Sequence, residues 1–268
     1  ARRGRCSSAS SRPSASDGST RGRKLMWLPF QRALEARRAR LALPPAVRDS
    51  LRLLRIRARQ RAVEDRWTDS GILSLSRLVA LDLETTGPNM HADRIISIGA
   101  VAVTGRTVRH DDAFERVVRQ ERESASDNIL IHQIGGQEQR AGADPVGALV
   151  AFLEYLDGAV AVAYRAEFDS TVLERELRTC LGIRARIRFL DLACILPALV
   201  PGTPNDTLDD WARHFGLPPI GRHHAIADAY ANAQLLLLAL DRARQLGLDT
   251  TRDLLSLQKS QRWLGRRR

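Results

Sequence analysis

A mixed α/β sheet is the fold class that this 268-residue sequence predicts, and two observations carry it. Three apolar segments, at 78–83, 94–103 and 107–118, are joined by connections short enough to make them antiparallel hairpin strands. Two further apolar segments, at 159–163 and 188–190, are each reached through a helical stretch. Five strands flanked by helices follow. The sequence holds no P-loop and no strand–G-x-G-x-x-G–helix unit, so nothing supports a nucleotide-binding doubly wound sheet.

The elements are justified in chain order. Residues 1–24 are rich in Ser, Arg and Gly and poor in large apolar residues, which predicts disorder. They lack the apolar core of a secretory signal, although Arg-rich, acid-poor composition also suits an organellar transit peptide. Residues 25–70 form a helical, Arg-rich extension broken at Pro44-Pro45. In its second half Val47, Leu51, Leu54 and Ala58 recur on one helical face, with Arg48, Arg52, Arg55 and Arg59 beside them. Residues 72–246 form the main domain. The first strand, L-V-A-L-D-L from Leu78, is followed by a turn at 85–88 and the two hairpin strands. A polar loop and a short segment at 131–136 lead to a helix at 145–156 that opens on Pro145. A helix at 167–181 ends at Gly182. Helices at 192–199, 207–215 (with Thr207 as its cap) and 224–246 complete the domain. Residues 247–268 form a last helix and a basic tail.

Composition narrows the class. An apolar fraction of 44% and a charged fraction of 27% are those of a soluble globular chain. No apolar run approaches the roughly 18 residues of a membrane span. Cys6, Cys180 and Cys194 form no paired framework, which suits reduced thiols in the cytoplasm. Residues 1–62 hold 17 Arg or Lys against 3 acids, whereas residues 63–268 hold 25 against 28. The basic excess therefore belongs to the extension, and a polyanion, nucleic acid first, is its expected partner. A merely solvated basic face is the plainer alternative.

Asp82 and Glu84 interrupt the first strand two residues apart, so both point to one face. Two carboxylates side by side on a buried strand are unfavourable unless a cation lies between them. Asp169 opens the helix after the fourth strand, and Asp228 lies near the start of the long helix, five residues after His223. Each is also explained by the dipole at a helix N-terminus. Together the four acids offer an all-oxygen site for hard divalent cations, Mg²⁺ or Mn²⁺.

D-L-E-T-T-G at 82–87, F-D at 168–169 and H-x-A-x-x-D at 223–228 resemble the three motifs of the DEDDh class of 3′–5′ exonucleases. This is the class of the proofreading epsilon subunit of bacterial DNA polymerase III, and the likeness spans about 78–246. The resemblance implies a ribonuclease H-like mixed five-stranded sheet. It implies two divalent ions held by Asp82, Glu84, Asp169 and Asp228, with His223 as general base; His224 has the wrong spacing to Asp228. It also implies that Thr85, Thr86 and His132 contact the terminal nucleotide, with Asp127 standing five residues before His132. The segment Ile131–Ile134 is similar to the x-H-x-I stretch of the class. Tyr164 and Arg165 stand where the class usually has His-Asn, and Arg165 is a candidate contact to substrate phosphate. The expected reaction releases nucleoside 5′-monophosphates from single-stranded or frayed 3′ ends, DNA favoured over RNA. The alternatives are an RNA-trimming relative and a replisome accessory that mainly binds. A DNA polymerase or sliding clamp is a candidate partner, the latter through residues 253–257, which faintly resemble a clamp-binding peptide; no membrane is involved.

Overall fold

A computed structural model describes residues 33–67, 73, 76–202, 207–217 and 223–265. The basic segment 1–24 lies outside the described residues, as do 25–32. Strand β1 (Arg77–Thr85) is the centre of a five-stranded sheet of order β3-β2-β1-β4-β5. β2 (Ile95–Thr104) and β3 (Thr107–Val117) extend it as antiparallel hairpin strands, whereas β4 (Val160–Ala163) and β5 (Phe189–Asp191) run parallel to β1. The five predicted strands are all present, with ends shifted by one or two residues.

Both faces of the sheet are covered, which explains why β1 reads as a continuous apolar run rather than an alternation. Leu78 and Ala80 face one core, and Val79, Leu81 and Leu83 face the other. By the period of two, Asp82 and Glu84 belong to the face of Leu78 and Ala80.

That first face is covered by α7 (Leu192–Leu199), α8 (Leu208–His214), α9 (Ala225–Gln245) and α10 (Thr251–Gly265). Thr207 and Asp210 form a reciprocal capping box at the start of α8, as the predicted cap requires. α9 lies close against β2 because residue 99 is glycine: a Cβ there would overlap the backbone of Ala225 and Ile226. The buried Asn232 ties α9 to β1 by donating to the Leu81 carbonyl at 3.0 Å.

The other face is covered by α5 (Pro145–Leu156) and α6 (Glu167–Leu181), with the N-terminal extension packed on them. The extension consists of α1, residues 33–42, and α2 (Pro45–Trp67), and the break falls at the predicted Pro44-Pro45. Leu43 and Leu51 are buried in this core, with Val47 and Leu54 packed against it. The apolar stripe of α2 is therefore part of the fold, and its arginines Arg48, Arg52 and Arg55 remain exposed. α1 lies against the end of α6, where Gly182 closes the helix at φ 62°; a side chain there would strike the backbone of Ala36 and Arg40.

Two helices were not expected. The stretch read from the sequence as a polar loop and a short segment holds α3 (Ser126–His132) and α4 (Gly136–Ala141). A second difference concerns α10. Residues 253–257 are helical, and Leu254 is fully buried in the first core, so this stretch is not an extended peptide offered to a clamp. α10 also covers the outer edge of β5. The Gln258 amide donates to Phe189 O at 3.1 Å and accepts from Asp191 N at 2.6 Å, filling hydrogen-bonding positions that another strand would take. Among the described residues no helix is long and apolar enough to cross a membrane.

Candidate active site

The site lies where the second half of β1 meets the start of α9. Oxygens of Asp82, Glu84 and Asp228 all lie within 4.8 Å of one another. The strand period aims the first two, and the close contact at Gly99, which faces Asp82 across the β1–β2 pair, brings the third. Asp228 is buried, and its Oδ2 accepts the backbone N–H of His223 at 3.0 Å. The His223 side chain is exposed.

Asp169 is not among the acids that meet within 4.8 Å, but it lies near enough to them to feel the charge of Glu84. It lies in the first turn of α6, is 5% exposed, and takes backbone hydrogen bonds from its own amide and from Leu83. Burial, joined by the nearby charges of Asp191 and Glu84 and opposed by those two hydrogen bonds, leaves its carboxyl pushed up to about 7. A hard cation would relieve this crowding of acids, and the donors are all carboxylate oxygen, so the residues fit a hard divalent cation.

Two residues beside the site hold left-handed backbone without being glycine: Arg165 at φ 58° and His223 at φ 62°. Such conformations are strained by about 1–3 kcal/mol each and persist where surrounding contacts hold them. For Arg165 the contact is Asp191, whose Oδ1 accepts the Arg165 N–H at 3.0 Å and the Ala193 N–H at 3.1 Å. Asp191 thus caps α7 and fixes the turn that enters α6 ahead of Asp169. Sequence reasoning missed this acid; its only signal was its place directly before the predicted helix 192–199.

The residues expected to meet substrate are placed as follows. Thr85 is buried and its hydroxyl donates to Gly87 O at 2.7 Å, while its carbonyl accepts from Asn128 Nδ2 of α3 at 2.6 Å. The Thr86 hydroxyl donates to Asp93 Oδ1 at 3.0 Å and accepts the Arg94 N–H at 2.9 Å. Both threonines therefore shape the turn after β1. Asp127 is exposed in the first turn of α3. Arg165 is exposed. His132 is 1% exposed, and both ring nitrogens are engaged inside the protein. Nδ1 accepts the Ile134 N–H at 3.0 Å, which leaves Nε2 as the N–H that faces Ser124 Oγ at 3.2 Å. Burial lowers its pKa. In this structure His132 holds the α3–α4 connection rather than presenting itself to a ligand.

The sheet, with three antiparallel strands followed by two parallel ones, is of the ribonuclease H-like type, and the carboxylates lie at its centre. The exonuclease family model, of RNase T type, matches residues 79–236, more than half of the chain, and the chain belongs to that family, the DEDDh class of its motifs. Among sequence relatives, a PolC-type DNA polymerase III of Thermotoga maritima is 27% identical over 183 residues, which cover 68% of this chain and 13% of that protein. A protein named 3′-5′ exonuclease DinG from Staphylococcus aureus is 25% identical over 189 residues, covering 70% of this chain and 21% of the relative. The chain thus spans a small part of the relatives it matches. Exonuclease I of E. coli, solved with a dT13 oligonucleotide, shares the fold with a TM-score of 0.55 and 19% identity, over 64% of this chain and 42% of that one.

Proposed function

We propose that the chain is a metal-dependent 3′–5′ exonuclease that removes nucleoside 5′-monophosphates from single-stranded or frayed DNA ends. The observation that supports it best is the meeting of the Asp82, Glu84 and Asp228 oxygens within 4.8 Å, with Asp169 near enough to feel the charge of Glu84. Asp82, Glu84, Asp169 and Asp228 would hold two divalent ions. When bound, such ions activate water and stabilise charge on the phosphate being displaced. His223 takes the proton of the attacking water at its imidazole, histidine being the side chain most often used for that step. Asp228 serves twice: it contributes an oxygen and anchors the His223 backbone in its left-handed turn.

The turn after β1, held by the Thr85 and Thr86 hydroxyls, would form one wall for the terminal nucleotide. α3, pinned to Thr85 O by Asn128, would form the other, with Asp127 at its exposed start. His132 would act through the shape of that wall, and Arg165 would reach substrate phosphate from the opposite side. The solved complexes of E. coli Exonuclease I with single-stranded oligonucleotides favour DNA as the substrate class.

The test is a 5′-labelled single-stranded oligonucleotide incubated with Mg²⁺ or Mn²⁺, with EDTA as control and an RNA of the same sequence in parallel. Stepwise shortening that requires metal and prefers DNA is expected. Shortening that continues in EDTA would overturn the metal assignment, and preference for RNA would replace the substrate.

A further inference from the structure

At the other end of the sheet, before β4, α2, the end of α5 and the extended segment 182–188 enclose a groove of about 700 Å³. Its floor is apolar: Leu51 and Leu54 of α2, Leu153 and Leu156 of α5, and Ile183 and Ile187. Its rim is basic. Along 183–188 the inward residues Ile183 and Ile187 alternate with Arg184, Arg186 and Arg188, which are exposed, and Arg55 of α2 joins them. One acid, Asp157, stands among the described lining residues against these four arginines, and no aromatic side chain does. The groove exists because α2 is present, and α2 precedes residues 79–236 that match the family. This surface is therefore an addition to the nuclease core.

The geometry points to this groove as a docking site for an acidic amphipathic segment of another protein. Leucine-like side chains of that segment fill the apolar floor, and its Asp and Glu residues meet the arginine rim. Apolar anchors on one face of a short helix or strand, with charges at the margin, are what such grooves bind. A single nucleic-acid strand is disfavoured because sequence-tolerant strand binding relies on aromatic side chains for base stacking. The site is independent of the proposed chemistry, since none of its residues belongs to the carboxylate cluster.

The full chain is titrated, in EDTA, against a fluorescent peptide of about 16 residues with leucines on one helical face and glutamates elsewhere. Control peptides carry lysine for glutamate or serine for leucine, and a labelled oligothymidylate is titrated alongside. The leucine–glutamate peptide is expected to bind, and neither control to compete. The double variant Arg184→Glu, Arg186→Glu should weaken that binding by about tenfold or more. It should leave the melting temperature and oligonucleotide trimming unchanged, both positions being exposed. Equal binding by the double variant, equal binding of either control, or no peptide binding at all overturns the proposal. So does loss of oligothymidylate binding alone, which would mark a nucleic-acid surface. Peptide binding is read whether or not the chain trims DNA, so failure of the nuclease reading and failure of this one are separable.

Discussion

The acids of β1 and the acids of the helices reach the same site by different means. Asp82 and Glu84 are placed by the strand itself: a separation of two residues sends both to one face whatever packs above. Asp228 and Asp169 are placed by contacts made far away in sequence. α9 settles beside Asp82 because Gly99 has no side chain, and the turn into α6 is held by Asp191 from the other side of β4. The difference teaches that half of the site is local geometry and half is tertiary fit, and the two halves should break differently.

The largest effect is expected for Asp82→Ala, which removes one of the three carboxylates that meet within 4.8 Å and are proposed to hold metal. Metal-dependent trimming should fall on the order of 10³-fold, with the melting temperature nearly kept, as initial rates and thermal unfolding would show. Full activity in that variant would break the assignment of the strand acids. Gly99→Ala removes no acid but lifts α9, and Asp228 with it. It should lower stability by about 1–3 kcal/mol and reduce trimming together, whereas a stable, active variant would show that α9 has slack. Asp191→Ala comes next. It strips two N–H groups of their acceptor, and a loss of about 1 kcal/mol in urea unfolding is expected, with a raised metal requirement for trimming.

The smallest effect concerns Asp169 without metal. In the folded chain its carboxyl keeps its proton to about pH 7, against an ordinary value of 3.8. Between those values the folded state binds more protons than the unfolded state, so stability contributed by this group falls as pH rises through that window. Asp169→Asn should abolish this slope, melting a few degrees above the parent at pH 8 in EDTA and no higher at pH 4. Identical profiles would place Asp169 in a more open setting than its burial indicates.

The same contrast explains what could be read from the sequence. The five strands, the helices from α5 to α9 and the trio of motifs rest on local periodicity, caps and spacing, and those are visible in one chain. α3 and α4 are seven and six residues long, too short for a period to show. They are held by tertiary bonds, Asn128 to Thr85 O and the Gln139 side chain to Ser124 and Ile134. His132 was expected at the terminal nucleotide from the likeness of 131–134 to the x-H-x-I stretch, and such a likeness carries no sign of its burial. Gly99 gave no warning either, since a glycine in a strand does not reveal which backbone approaches it. The charge count exposed the basic face of the extension but not that Leu43 and Leu51 complete a core, so cutting the chain after residue 62 would do more than remove charge.

Gln258 has a consequence beyond α10. A lone side-chain amide stands in for a neighbouring strand, so the β5 margin of the sheet is already occupied at Phe189 and Asp191. Gln258→Leu would leave those amide and carbonyl groups exposed to recruitment, and concentration-dependent self-association through the sheet margin should appear in light scattering before any loss of fold.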